Sequence, residues 1–169
     1  AGGMEEMKMD MSGAAAVTHF DASTYPTQFA CELKGFHALD HLDAKMIRRL
    51  DVVCHYAVAA ADEALIDAGL SGESFTDAMR DDMAVVFGSG VGGLLTMQQE
   101  AGVLATKGPR RVSPFFVPMM IANMPAGIIS MRHKLRGPNH ATVSACATSN
   151  HALADGWMLL RTGQAEMVL

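Results

Sequence analysis

The sequence is poor in charged residues, has no cationic excess and contains no long hydrophobic run. Only 18% of its 169 residues are charged, against roughly 25% in an ordinary soluble domain, and 50% are hydrophobic. This composition excludes intrinsic disorder, because the chain has ample apolar surface to bury. With 13 Lys and Arg against 18 Asp and Glu, the net charge is -5, which argues against a general nucleic-acid or anionic-membrane binder.

The absence of a long apolar run bears on membranes and on targeting. The longest run, Met119 to Ser130, is interrupted by Asn123 and Pro125 and falls short of the roughly 18 residues that a membrane helix requires. We therefore expect no membrane span. Residues Ala1–Ala16 hold two adjacent glutamates and no continuous apolar core, which is not the pattern of a secretory signal.

Cysteines are few, odd in number and without CxxC spacing. Cys31, Cys54 and Cys146 therefore favour a reducing compartment, the cytoplasm or an organelle matrix, over a disulfide framework. Cys31 and Cys54 are expected to be buried structural residues, since free cysteine is among the most buried residue types. None of the seven histidines forms an HExxH or Cys/His zinc pattern, so no metal is expected.

The length of 169 residues predicts a single domain, and hydrophobic periodicity predicts helices that alternate with short strands. Apolar residues at three- and four-residue steps indicate one amphipathic helix from Asp43 to Gly69, with Asp51 and His55 on its polar face. The run Met83–Phe87 is typical of a buried strand, and a helix over Leu94–Leu104 follows a glycine turn.

The second half repeats this alternation. A helix is predicted from Pro118, with a break at Pro125. A buried strand over Ala141–Ala145 then leads into a helix over Ala147–Arg161. The last residues, Glu166–Leu169, begin like another buried strand, and we therefore expect a truncated chain, since stable domains avoid open core edges.

The strand-to-helix corner around Cys146 carries the strongest chemical signal. A thiol at a helix N-terminus lies near the positive end of the helix dipole, which lowers the pKa and favours the nucleophilic thiolate. The unpaired N–H groups there can hold an oxyanion. The alternative is a buried structural cysteine. His140 lies roughly 20 Å away along an extended strand at about 3.3 Å per residue, and His151 is predicted to face elsewhere, so no base is identified.

Gly88, Gly90 and Gly93 form a GxGxxG pattern between a strand and a helix. Alone, this pattern suggests a dinucleotide site. The acidic residue expected about twenty positions later is missing, because Arg110 and Arg111 stand there, and the nucleotide interpretation is therefore disfavoured. The alternative is a turn that requires positive φ and close packing.

Several motifs occur together, in one order, from about His19 to Leu169. They resemble the β-ketoacyl-acyl-carrier-protein synthases of the thiolase superfamily, above all the elongating enzymes. The resemblance implies an α/β fold that is the N-terminal half of a five-layered αβαβα arrangement, truncated at both ends. The family's opening strand and C-terminal half are expected to be missing, with residues 1–18 poorly matched. The motifs are Phe20–Pro26, Arg48–Asp51, Gly88–Leu94, Arg111–Pro118, Ile121–Met124, Arg136–Pro138 and Thr142–Ser149.

The resemblance implies an acyltransferase of fatty-acid biosynthesis. Cys146 would accept an acyl chain as a thioester from acyl carrier protein (ACP), and decarboxylative Claisen condensation with malonyl-ACP would lengthen it by two carbons. The substrates are carried on the phosphopantetheine of ACP, and no cofactor is implied. Two histidines, a lysine and a glycine-rich loop from the C-terminal half are needed, so this piece alone is expected to be inactive.

The resemblance also implies roles for other residues. Val91 would gate the acyl channel, and Phe116 would line the acyl pocket near the interface of a homodimer. ACP would dock on exposed cations, of which Lys45, Arg48 and Arg49 are expected to share one helix face. The alternative for such clusters is a solvated face. Arg136 is expected to be structural. The predicted docking residues are Lys45, Arg48, Arg49, Arg110 and Arg111.

Some residues depart from the family pattern, and other functions stay open. Cys31, Pro125 and Gly156 replace more usual residues, and the last two are expected to loosen helix packing, at about 1–3 kcal/mol each. The alternatives are a non-catalytic acyl-binding or ACP-docking module, a polyketide ketosynthase, and a redox-sensing Cys146.

Overall fold

The computed structural model describes residues 13–169, in two compact units that meet between His37 and Ala38. The interpretation of Ala1–Ala16 falls mostly on residues outside the described ones. In the first unit, strand β1 (Ala15–Ala16) pairs antiparallel with strand β2 (Phe29–Ala30). The second unit carries every residue discussed below as a candidate site residue.

The second unit alternates helices with short parallel strands. Its α/β character confirms the predicted fold class. Single 3-10 turns occupy Ala38–Asp40, Gly72–Ser74, Pro109–Arg111 and Ala145–Ala147. The remaining elements are α1 (Ala44–Ile47), α2 (Val52–Asp67), α3 (Asp77–Asp82), β3 (Met83–Val86), α4 (Leu94–Lys107), α5 (Phe116–Met120), α6 (Met124–His133), β4 (Asn139–His140), α7 (Thr148–Arg161) and β5 (Met167–Val168).

The three strands of this unit form one parallel sheet in the order β4-β3-β5. Because side chains alternate along a strand, Met83 and Val85 of β3 pack against α2 and α6, while Ala84 and Val86 pack against α7. All four residues of β3 are buried. The second unit therefore has three layers, helix–sheet–helix, and β3 is the buried central strand that its apolar run predicts.

The helix predicted from Asp43 to Gly69 is two helices. Asp43 caps α1 by accepting hydrogen bonds from the amides of Lys45 and Met46, both at 2.8 Å. The chain then turns, and Asp51 caps α2 by accepting from the amide of Val53 at 3.2 Å. Two capping aspartates eight residues apart are the physical reason for the break, since each starts a helix of its own.

Asp51 and His55 are buried, contrary to the prediction that they lie on a polar face. The Asp51 carboxylate also accepts hydrogen bonds from the amide and the hydroxyl of Thr96, at 3.0 and 2.6 Å. A buried carboxylate requires such partners. Asp51 therefore joins the start of α2 to the first turn of α4.

The predicted buried strand Ala141–Ala145 is wrong. The strand that pairs with β3 at this edge is β4, Asn139–His140. Beyond β4, the amide of Ser89 donates a hydrogen bond to the carbonyl of Thr142 at 3.2 Å. Ala145 is exposed. The apolar run leaves the sheet because the chain must turn into α7 within a few residues.

Pro125 and Gly156 do not loosen their helices. Pro125 lies in the first turn of α6, where the missing N–H would have no helical partner. Gly156 is buried in α7, and a Cβ there would lie 3.2 Å from Cγ1 of Val168. Glycine at this position lets α7 pack close to β5. In the described part of the chain, no helix is long and apolar enough to cross a membrane.

Candidate functional site

Cys146 lies in the 3-10 turn directly before α7, and it is exposed. The residue before it, Ala145, has a φ of 50°, a left-handed conformation that is rare for a residue with a Cβ. The amide of Ala147 donates to the carbonyl of Ser144 at 3.1 Å, whereas the described residues supply no acceptor for the amide of Cys146. The thiol and one free N–H group therefore stand together at the start of the helix.

Hydrogen bonds close the corner on both sides of Cys146. The Ser144 amide donates to the hydroxyl oxygen of Thr148 at 2.8 Å, and the Thr142 hydroxyl donates to the carbonyl of Thr148 at 3.2 Å. Thr148 is buried. The segment that enters the corner is thus tied to the first residue of α7.

His151 is exposed, as expected of a surface residue, and its ring contacts the segment that enters the corner. Its Nδ1 atom lies 2.6 Å from Oγ of Ser144. Ser144 lies before a 3-10 turn whose first residue, Ala145, has left-handed backbone, so helical spacing within α7 does not predict this contact. His140 instead lies beside Asp155, with 3.8 Å between Nε2 and Oδ2.

The glycine loop between β3 and α4 packs closely against both α7 and α5. A Cβ on Gly88 would lie 2.3 Å from Cγ2 of Thr148, and one on Gly93 would lie 2.1 Å from the carbonyl oxygen of Met119. The loop amides are used internally: Gly92 donates to Oγ of Ser89 at 2.9 Å, and Gly93 donates to the carbonyl of Met120 at 2.9 Å. Amides bound in this way cannot cradle a pyrophosphate, which explains the glycines without a nucleotide.

Val91 lies on this loop between the Cys146 corner and α5. The loop contacts the corner at Gly88 and α5 at Gly93. Val91 is 64% exposed, and Phe116 begins α5 and is half-buried. The structure thus brings the predicted gate residue next to the element that carries the predicted pocket residue.

The five predicted docking cations are all exposed. Lys45 lies in α1, Arg48 caps the end of this helix with αR backbone, and Arg49 follows it. The guanidinium of Arg49 lies 4.6 Å from the ring centre of Phe115. This contact links the segment Lys45–Arg49 to Phe115, which follows Arg110 and Arg111 in the chain. Within residues 13–169, none of Lys45, Arg48, Arg49, Arg110 and Arg111 has a carboxylate within 4.0 Å.

The other two cysteines differ from each other. Cys54 is fully buried, and burial, followed by the nearby Asp51 charge, raises the pKa of its thiol to about 12. This thiol stays protonated and unreactive at neutral pH. Cys31 is exposed, which corrects the prediction that it is a buried structural residue.

Two arginines near the sheet are structural. Arg132 makes a bidentate pair with Asp62 at 2.9 and 2.8 Å, and Arg136 pairs with Asp81 and donates to the carbonyl of Asp77, as expected for its turn. His133 lies against the same Asp62 carboxylate. In the part of the chain that the structure describes, no three metal-ligating side chains come together as a metal site.

An open apolar cavity of about 560 Å³ lies beside α7. Its lining includes Ser149, Leu153 and Trp157 of the helix and Val86 and Leu169 of the sheet. The sequence analysis missed this cavity. The signal that could have found it is the spacing of Leu153, Trp157 and Leu160, which repeats on one face of the helix.

Comparison with known proteins decides the family. The model for the N-terminal domain of β-ketoacyl synthases matches residues 5–169. The chain belongs to this family. Curated β-ketoacyl synthases are similar over 94% of the chain: the 3-oxoacyl-[acyl-carrier-protein] synthase 2 of Synechocystis sp. is 39% identical over 158 residues. Its counterpart in Rhizobium meliloti is 41% identical over 165 residues.

These relatives are longer than the chain, which spans 37% of the Synechocystis protein and 39% of the Rhizobium meliloti protein. Solved structures agree on the fold. An ishigamide ketosynthase/chain length factor superposes with a TM-score of 0.79 at 23% identity, covering 91% of this chain and 38% of that one. A β-ketoacyl synthase from Burkholderia phymatum superposes with a TM-score of 0.74 at 24% identity, covering 90% and 37%. The thiolase-like ketosynthase fold is therefore that of this chain.

Proposed function

We propose that the protein is a condensing enzyme of fatty-acid synthesis that carries the growing acyl chain on Cys146. The observation that carries the proposal is the exposed thiol at the start of α7 in a chain of the β-ketoacyl synthase family. An accessible sulfur at a helix start can attack a thioester, which a cysteine sealed in a core cannot do. The similarity to elongating synthases from several bacteria supports fatty acids as the substrate class.

The chemistry has two stages. In the first, the Cys146 thiol gives up its proton to solvent, the thiolate attacks the carbonyl of acyl-ACP, and the phosphopantetheine sulfur of ACP leaves as a thiolate that takes a proton back from solvent. In the second, malonyl-ACP loses carbon dioxide, the resulting carbanion attacks the acyl-Cys146 carbonyl, and the Cys146 thiolate leaves. The free amide of Cys146 is our candidate donor for the oxyanion of both tetrahedral intermediates.

Decarboxylation is assigned to residues beyond this chain. The family supplies two histidines, a lysine and a glycine-rich loop from its C-terminal half, and the chain spans only about 38% of its relatives. We propose that these 169 residues acquire the acyl group but do not complete condensation alone. No resident cofactor enters the proposal, because ACP itself presents the acyl chain.

The acyl chain is proposed to run from Cys146 toward α5. Val91 and Phe116 occupy the loop and the helix on that path, and Gly88 fits against Thr148 without a side chain in between. A branched Val91 side chain would limit how deep the acyl chain extends. In the same proposal, two copies of the protein assemble as a homodimer near Phe116.

ACP is proposed to dock on the cations around Arg49. They are exposed, and although the Asp43 carboxylate interacts electrostatically with Lys45 and Arg48, no described carboxylate lies within 4.0 Å of any of them, so their charge is available to an acidic surface. Arg49 is held over Phe115, and a groove lined by Lys45, Met46 and Leu50 lies beside it. One solved neighbour is a ketosynthase in complex with its type II polyketide acyl carrier protein, which is a precedent for such docking in the fold.

The proposal is tested by trapping the acyl-enzyme. The chain is incubated with acyl-ACP at neutral pH, digested, and analysed by mass spectrometry. We expect the acyl mass on the Cys146 peptide and none on the Cys54 peptide, whose thiol is buried. Cys146→Ala should abolish labelling, with Cys31→Ala as the matched exposed control that retains it.

The outcomes separate the alternatives. Binding of acyl-ACP without an acyl-Cys146 adduct would indicate a non-catalytic module and contradict the enzyme. Reversible oxidation of Cys146 with no response to acyl-ACP would indicate a redox sensor.

A further inference from the structure

The backbone next to Cys146 is held in a conformation that alanine does not favour. Ala145 has a φ of 50°, and left-handed backbone costs conformational energy for any residue with a Cβ. Such a residue persists only where its surroundings fix it. The surroundings that could fix it are the hydrogen bonds of the residues on either side.

The backbone and the side chain of Ser144 are both bound to α7. Its amide donates to Oγ1 of Thr148 at 2.8 Å, and its Oγ lies 2.6 Å from Nδ1 of His151. Thr148 and His151 are three residues apart and therefore lie on one side of the first turn. The 3-10 turn Ala145–Ala147, which includes Cys146, lies between Ser144 and the first residue of α7.

We propose that His151, through the hydroxyl of Ser144, is a positioning residue that holds the Cys146 thiol where it accepts the acyl group. The part of this inference that concerns acyl transfer rests on the proposed function. The contact between Ser144 and His151, which we call the clamp, does not. The thioester chemistry above assigns no proton to His151, and its Nδ1 atom is engaged with Ser144 rather than with sulfur. Its contribution is to the geometry of the corner, where misplacement of a nucleophile by 1 Å costs about a hundredfold in rate.

The geometry of the contact gives a sharp pair of variants. The side-chain amide of asparagine places a polar atom where Nδ1 of histidine lies, whereas that of glutamine reaches the position of Nε2. His151→Asn can therefore keep the hydrogen bond to Ser144, and His151→Gln loses it. If His151 mattered only for its bulk or for helix propensity, His151→Asn would not keep a higher acylation rate than His151→Gln.

The experiment measures the rate constant of Cys146 acylation at several acyl-ACP concentrations. We expect His151→Gln and Ser144→Ala to lower the maximal rate about tenfold, near the upper end of the effect of one hydrogen bond. His151→Asn should stay within about twofold of the wild type. The acyl-ACP concentration at half-saturation should not change, since neither residue belongs to the cationic surface. His140→Gln, another exposed histidine close to Cys146 in sequence, is the matched control and should leave the rate unchanged.

A double-variant cycle isolates the pair. If Ser144 and His151 act through one hydrogen bond, Ser144→Ala with His151→Gln should be no slower than Ser144→Ala alone. Losses that multiply would overturn the proposal, as would a wild-type rate in His151→Gln. Equal slowing in His151→Asn and His151→Gln, with equal loss of thermal stability, would also overturn it, because that result indicates a structural role only.

A second readout separates this inference from the proposed function. Alkylation of Cys146 by iodoacetamide needs no ACP. The alkylation rate of His151→Gln should differ from that of the wild type, whereas the rate of His151→Asn should equal it. If the wild type forms no acyl thioester, the proposed function fails, while the alkylation series still decides on the clamp. Identical alkylation rates in all variants would overturn the clamp even if acylation occurs.

Discussion

At the scale of single residues, the environment decides what one side-chain type can do. Cys54 and Cys146 carry the same thiol, but burial among the residues of α2 raises the pKa of Cys54 to about 12, whereas Cys146 is exposed before α7. The same contrast separates two histidines. His151 is exposed and bound to Ser144, while His133 is packed between Asp62 and the arginines beside it. Chemistry at these positions follows from solvation and partners, not from residue type.

His133 gives a pH-dependent prediction. Burial lowers its pKa below the ordinary value of 6.5, the Asp62 carboxylate opposes this shift, and the charges of Arg132 and Arg80 add to it. The unfolded chain therefore binds this proton more readily than the folded chain, so its contribution to stability is present above pH 6.5 and is lost as pH falls through and below that value. Thermal unfolding at pH 7.5 and pH 5.5 should show this decrease, and His133→Gln should reduce it. The exposed His37→Gln is the control, and an unchanged pH dependence in His133→Gln would contradict the assignment.

At the scale of elements, short polar contacts decide where helices begin and how they meet. Asp51 ends the turn after α1, caps α2 and receives two hydrogen bonds from Thr96 of α4. One buried carboxylate thus fixes the entry of one helix and the position of another. The glycine loop, which leads into α4, also connects elements, since it joins β3 to both the Cys146 corner and α5.

Substitution by alanine at two glycines, one before α4 and one inside it, should change the free energy of unfolding in opposite directions. Gly93→Ala would place a Cβ 2.1 Å from the carbonyl oxygen of Met119, a backbone atom that cannot move aside alone. We expect a loss of about 1–3 kcal/mol in the free energy of unfolding, as for other overpacked sites. Gly102 lies inside α4 with nothing within 4 Å of the added Cβ, so Gly102→Ala should stabilise by about 0.5–1 kcal/mol. Urea unfolding measures both, and equal effects would show that the loop is not a tight joint.

At the scale of the whole molecule, charge is unevenly distributed. The chain has a net charge of -5, yet Lys45, Arg48, Arg49, Arg110 and Arg111 are all exposed, and no carboxylate of residues 13–169 lies within 4.0 Å of them. A cationic surface on an acidic protein selects acidic partners over other proteins of like charge. This contrast is the physical basis for the proposed docking of ACP.

Reversal of two of these charges tests the docking surface. Arg48→Glu with Arg49→Glu, assayed in the full-length protein, should raise KM for acyl-ACP about tenfold or more and change kcat little, because the partner is repelled before chemistry begins. Salt should raise KM in the wild type and much less in the variant, since it screens the same attraction. Arg161→Glu, the same change at the far end of α7, is the control. An unchanged KM would place the carrier protein elsewhere.

Much of the fold could be predicted because local patterns determine it. The apolar run of Met83–Val86 predicts a strand buried on both faces, and the structure places it at the centre of the sheet. The periodic segments of α4 and α7 form helices where they are expected. The break between α1 and α2 could not be predicted from periodicity, since the apolar spacing continues through it.

The sequence by itself determined the family, the alternation of strands with helices, and the position of Cys146 at the start of a helix, because each depends on residues close together in the chain. Only the tertiary structure decided that Asp51 is buried against Thr96, 45 residues away, and that the glycine loop packs on the Cys146 corner. It also decided that His151 of α7 reaches Ser144, which lies on the other side of the 3-10 turn that holds Ala145 in left-handed backbone. Long-range contacts and a 3-10 turn with one left-handed residue leave no periodic signal in the sequence. These residues therefore come together only in the folded chain.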